Sequence, residues 1–207
     1  TMLKYTRLVK ISEELLSDSA ANLEPFLADR LGRAAGITEN DIFLTGASTL
    51  GAVTTSGLGA TAPSNSAVSA ANIADMYYAL SQPYRQGASW VMRGATEGAV
   101  RKLTSAVFTF GQTPAGQVGQ TGFDWLYSPG SRVYNSDEMD AIGSAARSIL
   151  FANMSYYYIV ERAGLVIRRL DQLYAASGQV GLLASFRVGG AVTQSEAFKY
   201  LLHPTTT

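Results

Sequence analysis

The sequence predicts an α+β fold, because strand and helix patterns both occur along it. Residues 179–188 alternate in the manner of a strand, with one uniformly apolar face formed by Val180, Leu182, Ala184, Phe186 and Val188. Residues 23–34 instead carry apolar side chains at helical spacing. Two shorter strand-like runs, residues 156–160 and 165–170, flank a turn predicted at residues 162–164. We therefore expect both helices and sheets in this chain.

The first part of the chain predicts a strand followed by a helix. Residues 3–11 alternate loosely, and Asp18 or Ser19 is a suitable N-cap for the helix that follows. The helix carries one stripe, made of Leu23, Phe26, Leu27, Arg30, Leu31 and Ala34. Gly36 is placed to end it in a left-handed conformation.

The middle of the chain predicts short elements between loops. Residues 45–66 hold no charge and little periodicity, which predicts a loop. Helices are expected at residues 68–80 and 96–103, and a third, short one in the tail at 195–202. Strands are expected at residues 89–92 and 106–110. Glycine- and glutamine-rich residues 111–122 and polar residues 135–140 predict exposed loops.

The composition excludes several classes of protein. The 207 residues contain no cysteine, so disulfides and thiolate metal sites are impossible. No stretch approaches the ~20 apolar residues that a membrane span requires. The net charge is zero, whereas a dedicated nucleic-acid binder carries a basic excess. Only 15% of the residues are charged, against about 25% in a typical soluble domain, which suits a subunit with buried interfaces or a chain diluted by Ser/Thr-rich loops.

Candidate catalytic and metal-binding residues are few. The single histidine, His203, lies in a predicted tail, where we expect it to be exposed to solvent and not catalytic. The acidic clusters, Glu13 with Glu14 and Asp137 with Glu138 and Asp140, lack the spacing of an EF-hand. The glycine-rich segments do not fit a phosphate-binding loop. We therefore predict no catalytic residue, no cofactor and no metal.

Three arginines, Arg162, Arg168 and Arg169, cluster near the two strand-like runs. Two interpretations remain open from the residues alone. The arginines form a solvated face, or they form salt bridges between subunits, since an arginine on a strand is held in a fixed geometry.

Three blocks of sequence resemble one known family. Residues 149–151 read ILF, residues 157–169 read YYIVERAGLVIRR, and residues 186–198 read FRVGGAVTQSEAF. Near the start, VKIS is followed by ELLSDS, and ASWVMR occurs at residues 88–93. In their order along the chain, the blocks resemble the major capsid proteins of tailed phages, which have the Hong Kong 97-type fold. The resemblance covers most of the chain and implies an α+β fold with two interleaved domains. Residues 1–44 and 157–190 would form the peripheral domain, and residues 45–156 and 191–207 the axial domain.

The resemblance implies a structural function. The chain would be the major capsid protein of a tailed phage or prophage, forming the pentamers and hexamers of an icosahedral virion shell. This shell would enclose the DNA without sequence-specific binding. Assembly would take place in the bacterial cytoplasm, with a scaffolding protein, a protease and a portal as partners. The alternatives are the shell of an encapsulin-like cellular nanocompartment and, less favoured, an enzyme with an unrecognised site. The expected subunit contacts are Gln117 and Gln120 in one loop, Asp137 and Glu138 in another, and Arg162, Arg168 and Arg169.

Family members also carry an N-terminal arm and an extended loop before the long spine helix. Few residues precede that helix here, so we expect this chain to lack both. Some members join subunits through a lysine on that loop, an asparagine and a glutamate. The last two positions fall near Gly178 and Ser185 in this sequence, so we expect no such cross-link.

Overall fold

The structure is a computed structural model that describes residues 2–18, 23–45, 53, 57–103 and 132–205. The strand expected at residues 106–110 and the loop at residues 111–122 lie outside the described residues. The predicted contact residues Gln117 and Gln120 lie there too, so their predicted role stays a prediction.

The described chain contains helices and strands in mixed order, which confirms the α+β class. The strands are β1 Leu3–Ser12, β2 Leu58–Thr61, β3 Ser89–Met92, β4 Val133–Asn135, β5 Arg147–Ala152, β6 Tyr157–Leu170, β7 Gln179–Val192 and β8 Phe198–Leu202. The helices are α1 Glu13–Asp18, α2 Leu23–Leu44, α3 Ala70–Ala79, α4 Gln82–Arg85 and α5 Gly94–Arg101. Short 3-10 helices lie at Met154–Tyr156, Ala175–Ser177 and Ser195–Ala197.

The chain divides into two compact units. The first consists of Thr1–Asn40 and Ile159–Gly190, and the second of Asp41–Tyr158 and Ala191–Thr207. Whether they correspond to the peripheral and axial domains of the resemblance stays a prediction.

A three-stranded sheet in the order β1-β7-β6 forms the framework of the first unit. Strand β1 is antiparallel to β7, from the pair Leu3↔Val188 to the pair Ser12↔Gln179. The apolar alternation predicted for β7 is confirmed: the five residues Val180, Leu182, Ala184, Phe186 and Val188 are all buried. The Tyr5 ring stacks on Phe186 with centroids 5.3 Å apart. The alternation therefore gives the sheet one buried face and one open face.

Strand β6 is continuous, so the turn predicted at residues 162–164 is wrong. A tight turn favours a glycine with a positive φ, and among the described glycines only Gly57, Gly87 and Gly178 have one. The reversal occurs instead after β6, and Gly178, with φ +61°, stands immediately before β7. Pairing within the sheet satisfies the backbone of β6 more fully than an isolated turn could.

Helix α2 extends to Leu44, so the end predicted at Gly36 is wrong. A glycine inside a helix costs only about 0.5–1 kcal/mol relative to alanine, which continued hydrogen bonding and packing can offset. Ile42, beyond that glycine, is buried. The predicted stripe is only partly covered, since Leu31 is buried and Phe26 is 53% exposed.

The second unit contains a five-stranded sheet in the order β2-β8-β5-β3-β4. Strand β5 is antiparallel to both β3 and β8, whereas β2 and β4 run parallel to their neighbours. The helix predicted at residues 195–202 is wrong, because this segment is a 3-10 turn followed by β8. Phe198 and Leu201 are fully buried, and short apolar runs of this kind are ambiguous between helix and strand.

Two clusters of buried side chains cover the two faces of this sheet. In the first, helix α3 contributes Ile73 and Met76, which pack near Trp90 and Phe151, as the helical stripe predicts. In the second, Leu150 packs with other buried residues, among them Val91, Met139 and Phe198.

Helix α3 begins in a capping box, in which Ser69 and Asn72 each accept a backbone hydrogen bond from the other. Asn72 Nδ2 also donates to Thr61 O at 2.9 Å, which fixes the helix to the end of β2.

Candidate assembly surfaces

The open face of the first unit's sheet carries a cluster of positive charges. We call it the basic cleft and define it by Lys4, Arg162, Arg168 and Arg187, with Val166, Ser185 and Phe186 as the other lining residues. Its volume is about 300 Å³. Arg162 and Arg168, two of the predicted contact residues, therefore lie in one cleft. Lys4 and Arg187, which the sequence analysis did not single out, line the same cleft.

Arg169 does not belong to the basic cleft. Neighbouring strand residues point to opposite faces of a sheet, so Arg168 and Arg169 diverge. Arg169 Nε lies 2.6 Å from Asp171 Oδ1, an ion pair between two exposed side chains. Its predicted role as a subunit contact stays a prediction.

The other predicted contact lies in residues 135–140, of which Asn135 ends β4 and residues 136–140 form a loop held at both ends. We call it the acidic loop. The Asp137 side chain is 90% exposed and only 4.0 Å from Arg93 Nε, at the outer limit of an ion pair. Met139 is buried, and Asp140 Oδ2 accepts a hydrogen bond from Arg147 N at 2.9 Å. The loop thus presents Asp137 on an anchored backbone.

Strand β6 exposes an unusual number of large apolar side chains: Tyr158, Ile159, Val160, Leu165 and Val166. The first three are consecutive and each is more than half exposed. Tyr158 and Val160 point to one face of the strand and Ile159 to the other. Exposed apolar residues grouped on one face mark surfaces that another protein covers. This strand is therefore a candidate contact surface that the sequence analysis treated only as a strand.

His203 is buried, so its predicted exposure in a tail is wrong. Only 1% of the residue is accessible, and Nε2 lies 2.6 Å from Ser148 Oγ. Nδ1 lies 3.0 Å from Ser64 O, and since a carbonyl only accepts, Nδ1 donates to it. Nε2 of the neutral ring then accepts from the Ser148 hydroxyl. Ser148 is itself fully buried, so this pair joins β5 to the residue after β8 and presents no nucleophile to a substrate.

Ser148→Ala is expected to lower the free energy of unfolding by about 1–3 kcal/mol, because it leaves His203 Nε2 buried without a donor. Urea denaturation followed by circular dichroism measures the loss. Ser155→Ala is the matched control, since that serine is exposed in the same unit and its loss should stay below about 0.5 kcal/mol. Equal effects of the two substitutions would contradict the role assigned to the buried pair.

Among the described residues, three acidic groups have shifted pKa values, each with a structural cause. Burial raises the pKa of Tyr157 to about 12. Burial, with a smaller contribution from a neighbouring carboxylate, raises the pKa of Glu39. Burial also acts to raise the pKa of Glu97, but hydrogen bonds from Asn135 and Arg101, and the charge of Arg101, outweigh it and lower that pKa.

Within the described residues, no group of three or more histidine, cysteine, aspartate or glutamate side chains could hold a metal ion. Of the helices in the described part of the chain, none is both long and apolar enough to cross a membrane.

Comparisons with known proteins find similar solved structures among capsids and phages. A solved structure described as "Capsid of empty GTA particle computed with C5 symmetry" is similar, with 29% identity and a TM-score of 0.79, over 97% of this chain and 73% of that one. The capsid of a native GTA particle, also computed with C5 symmetry, is 28% identical with a TM-score of 0.80, over 98% of this chain and 73% of that one. A chain from Mycobacterium phage Adephagia, 13% identical, shows the same fold with a TM-score of 0.70, over 100% of this chain and 73% of that one. No curated protein sequence matches significantly.

These similarities define a shell-forming capsid subunit, and they confirm the Hong Kong 97-type fold. The sequence matches the phage capsid family over residues 1–202, and the chain belongs to that family. Its predicted function as the major capsid protein of a phage-like particle, located in the virion capsid, is confirmed. The alternative of a cellular nanocompartment shell is not favoured, because the similar structures described above come from GTA particles and a phage.

Proposed function

We propose that copies of this chain associate into pentamers and hexamers that tile a closed icosahedral head around the genome. The role is structural, and no residue of the chain performs chemistry. DNA is enclosed without sequence-specific contacts, consistent with a net charge of zero.

One observation carries the proposal. Similarity to the GTA capsid at 29% identity extends over 97% of this chain, so both units and the long strands β6 and β7 are included. That structure was computed with C5 symmetry, which places five equivalent positions around an axis. A ring of this kind requires a heterologous contact, in which different patches of neighbouring copies meet.

The described surface supports such contacts. The basic cleft and the exposed apolar residues Tyr158 and Val160 of β6 offer chemically different groups for contacts with neighbouring copies. Each contact is repeated in every subunit of a shell. Modest interfaces therefore suffice for a stable particle, although a single copy of the contact would be weak.

The finer assignments belong to the same proposal. The first unit would be the peripheral domain and the second the axial domain. A scaffolding protein, a protease and a portal would act with the chain during head assembly in the bacterial cytoplasm, for a phage or a prophage. The absence of cross-linking likewise stays a prediction.

The test is the solution mass of the purified chain, by light scattering on a sizing column at several concentrations. We expect discrete species at multiples of 22.0 kDa whose share grows with concentration. Far-ultraviolet circular dichroism of the same fractions checks that the chain is folded. A folded chain that stays at 22.0 kDa at every concentration would contradict self-assembly of this chain.

A further inference from the structure

We propose that the basic cleft of one copy receives the acidic loop of a second copy, so that Asp137 and Glu138 pair with Arg162 and Arg168. The inference rests on the proposed function and names one contact of the assembly. Three observations lead to it: positive charge in the cleft without an ion-pair partner among the described residues, neutrality of the full sequence, and an exposed, only weakly paired negative charge at Asp137.

Among the described residues, none of the four cations of the basic cleft takes part in an ion pair, and no acidic residue lines the cleft. Lys4 is also directly opposite Arg187 in the β1–β7 pairing. Like charges directly opposite each other on antiparallel strands are destabilising. An anion in the cleft would relieve this repulsion.

The cleft fits an extended partner better than a small ion. The stretch of strand from Arg162 to Arg168 is about 20 Å long, at ~3.3 Å per residue. Lys4 and Arg187 add charge on the two other strands of the same sheet. Three of the four cations are guanidinium groups, whose planar donors match carboxylates in a bidentate geometry. A peptide segment with neighbouring carboxylates meets these requirements.

A second copy of this chain is favoured over nucleic acid. A protein that binds nucleic acid through its phosphates carries a basic excess, whereas this chain has 16 basic and 16 acidic residues. Positive charge concentrated on one face of a neutral chain must be balanced by negative charge elsewhere on the same chain. Two copies are therefore complementary without any other molecule.

The acidic loop is the segment best suited to be the partner. Three acids elsewhere form ion pairs inside their own copy: Asp29 with Arg33, Glu97 with Arg101 and Asp171 with Arg169. Asp137 is 90% exposed and only weakly approached by Arg93. Its neighbour Glu138 is half-buried, with its backbone N bonded to Ser136 Oγ at 3.4 Å. Because Met139 and Asp140 anchor the loop, little conformational entropy is lost when it docks.

Charge reversal tests the contact. We expect Arg162→Glu/Arg168→Glu and Asp137→Arg/Glu138→Arg each to weaken self-association about tenfold, as two exposed ion pairs predict. A chain carrying all four substitutions should recover to within about threefold of the wild type, because the reversed charges attract again. Sedimentation velocity at low salt measures the association. Glu13→Arg/Glu14→Arg on α1 is the control and should leave it unchanged, since these acids are exposed but lie outside the acidic loop.

A second measurement needs no substitution. A zero-length carbodiimide reagent joins a lysine amine to a carboxylate with loss of water, and Lys4 is the amine of the basic cleft. In mixed ¹⁴N- and ¹⁵N-labelled wild-type assemblies, we expect mixed-label peptides that join Lys4 to Asp137 or Glu138. Mixed-label peptides that join Lys4 only to other acids would overturn the proposal.

The outcomes separate this inference from the proposed function. If the wild type assembles and neither reversal weakens it, the contact is wrong and the shell function stands. If the arginine reversal leaves association intact but abolishes retention of DNA, nucleic acid is the occupant and the proposal is overturned. If the folded wild type does not associate at any salt concentration, the contact and the proposed function both fail.

Discussion

Phe151→Ala is expected to lower the free energy of unfolding of the second unit by about 3–5 kcal/mol. The Phe151 side chain is fully buried in the central strand β5. It stacks on Trp90 with ring centroids 4.2 Å apart and lies 5.7 Å from the Tyr77 ring. Alanine would remove both aromatic contacts and leave a cavity between α3 and the sheet, and close-packed neighbours collapse only partly into such a cavity.

Guanidinium denaturation followed by circular dichroism measures this loss. Tyr134→Ala on β4 is the control, because it removes a comparable aromatic ring that is 51% exposed. We expect its effect to be below about 1 kcal/mol. If both substitutions cost the same, Phe151 is not a central core residue of the sheet.

Gly57→Ala is expected to lower the free energy of unfolding by about 2–4 kcal/mol, from backbone strain and steric overlap together. Gly57 has φ +70°, which side chains rarely adopt, and a Cβ there would lie 2.5 Å from Phe198 O. Tyr200 N also donates to Gly57 O at 3.2 Å, so the segment cannot move away without weakening the attachment of β2 to β8.

Gly98→Ala in α5 is the matched control with the opposite sign. A Cβ at Gly98 meets nothing within 4 Å, and alanine favours a helix by about 0.5–1 kcal/mol over glycine. The midpoint temperature of thermal unfolding should therefore fall for Gly57→Ala and rise slightly for Gly98→Ala. A neutral Gly57→Ala would show that the close approach of these two segments is not required.

The sequence predicted the elements whose own periodicity matches their burial. Strand β7 alternates because one of its faces is buried, and α3 shows its stripe because Ile73 and Met76 both face the core. Such elements can be identified locally, since a single packed face determines the pattern.

Elements that depend on distant partners were predicted wrongly. The residues of β6 suggested a turn, but their backbone pairs within the β1-β7-β6 sheet. Residues 195–202 suggested a helix, but most of them form β8, which pairs with β2 on one side and with β5 on the other. His203 looked like a tail residue because nothing near it in sequence shows that Ser148 is its partner. These outcomes depend on tertiary contacts that local propensity does not encode.

The basic cleft shows the same division between local and distant information. Arg162 and Arg168 are six positions apart, an even number, so the sequence alone could have predicted that they share one face of a strand and that Arg169 lies on the other. The addition of Lys4 and Arg187 required the register between β1 and β7, which brings together the start and the end of the chain. Part of this surface could therefore be predicted from the sequence, but its full charge could not.

Electron microscopy of the assembled fraction would show whether this chain forms a shell. We expect closed particles built from rings of five and six copies of this 22.0 kDa chain. The fraction should be prepared from the purified wild type at the highest concentration that the sizing column resolves. Folded monomers only, or aggregates without five-fold rings, would contradict the conclusion that this chain forms a capsid shell.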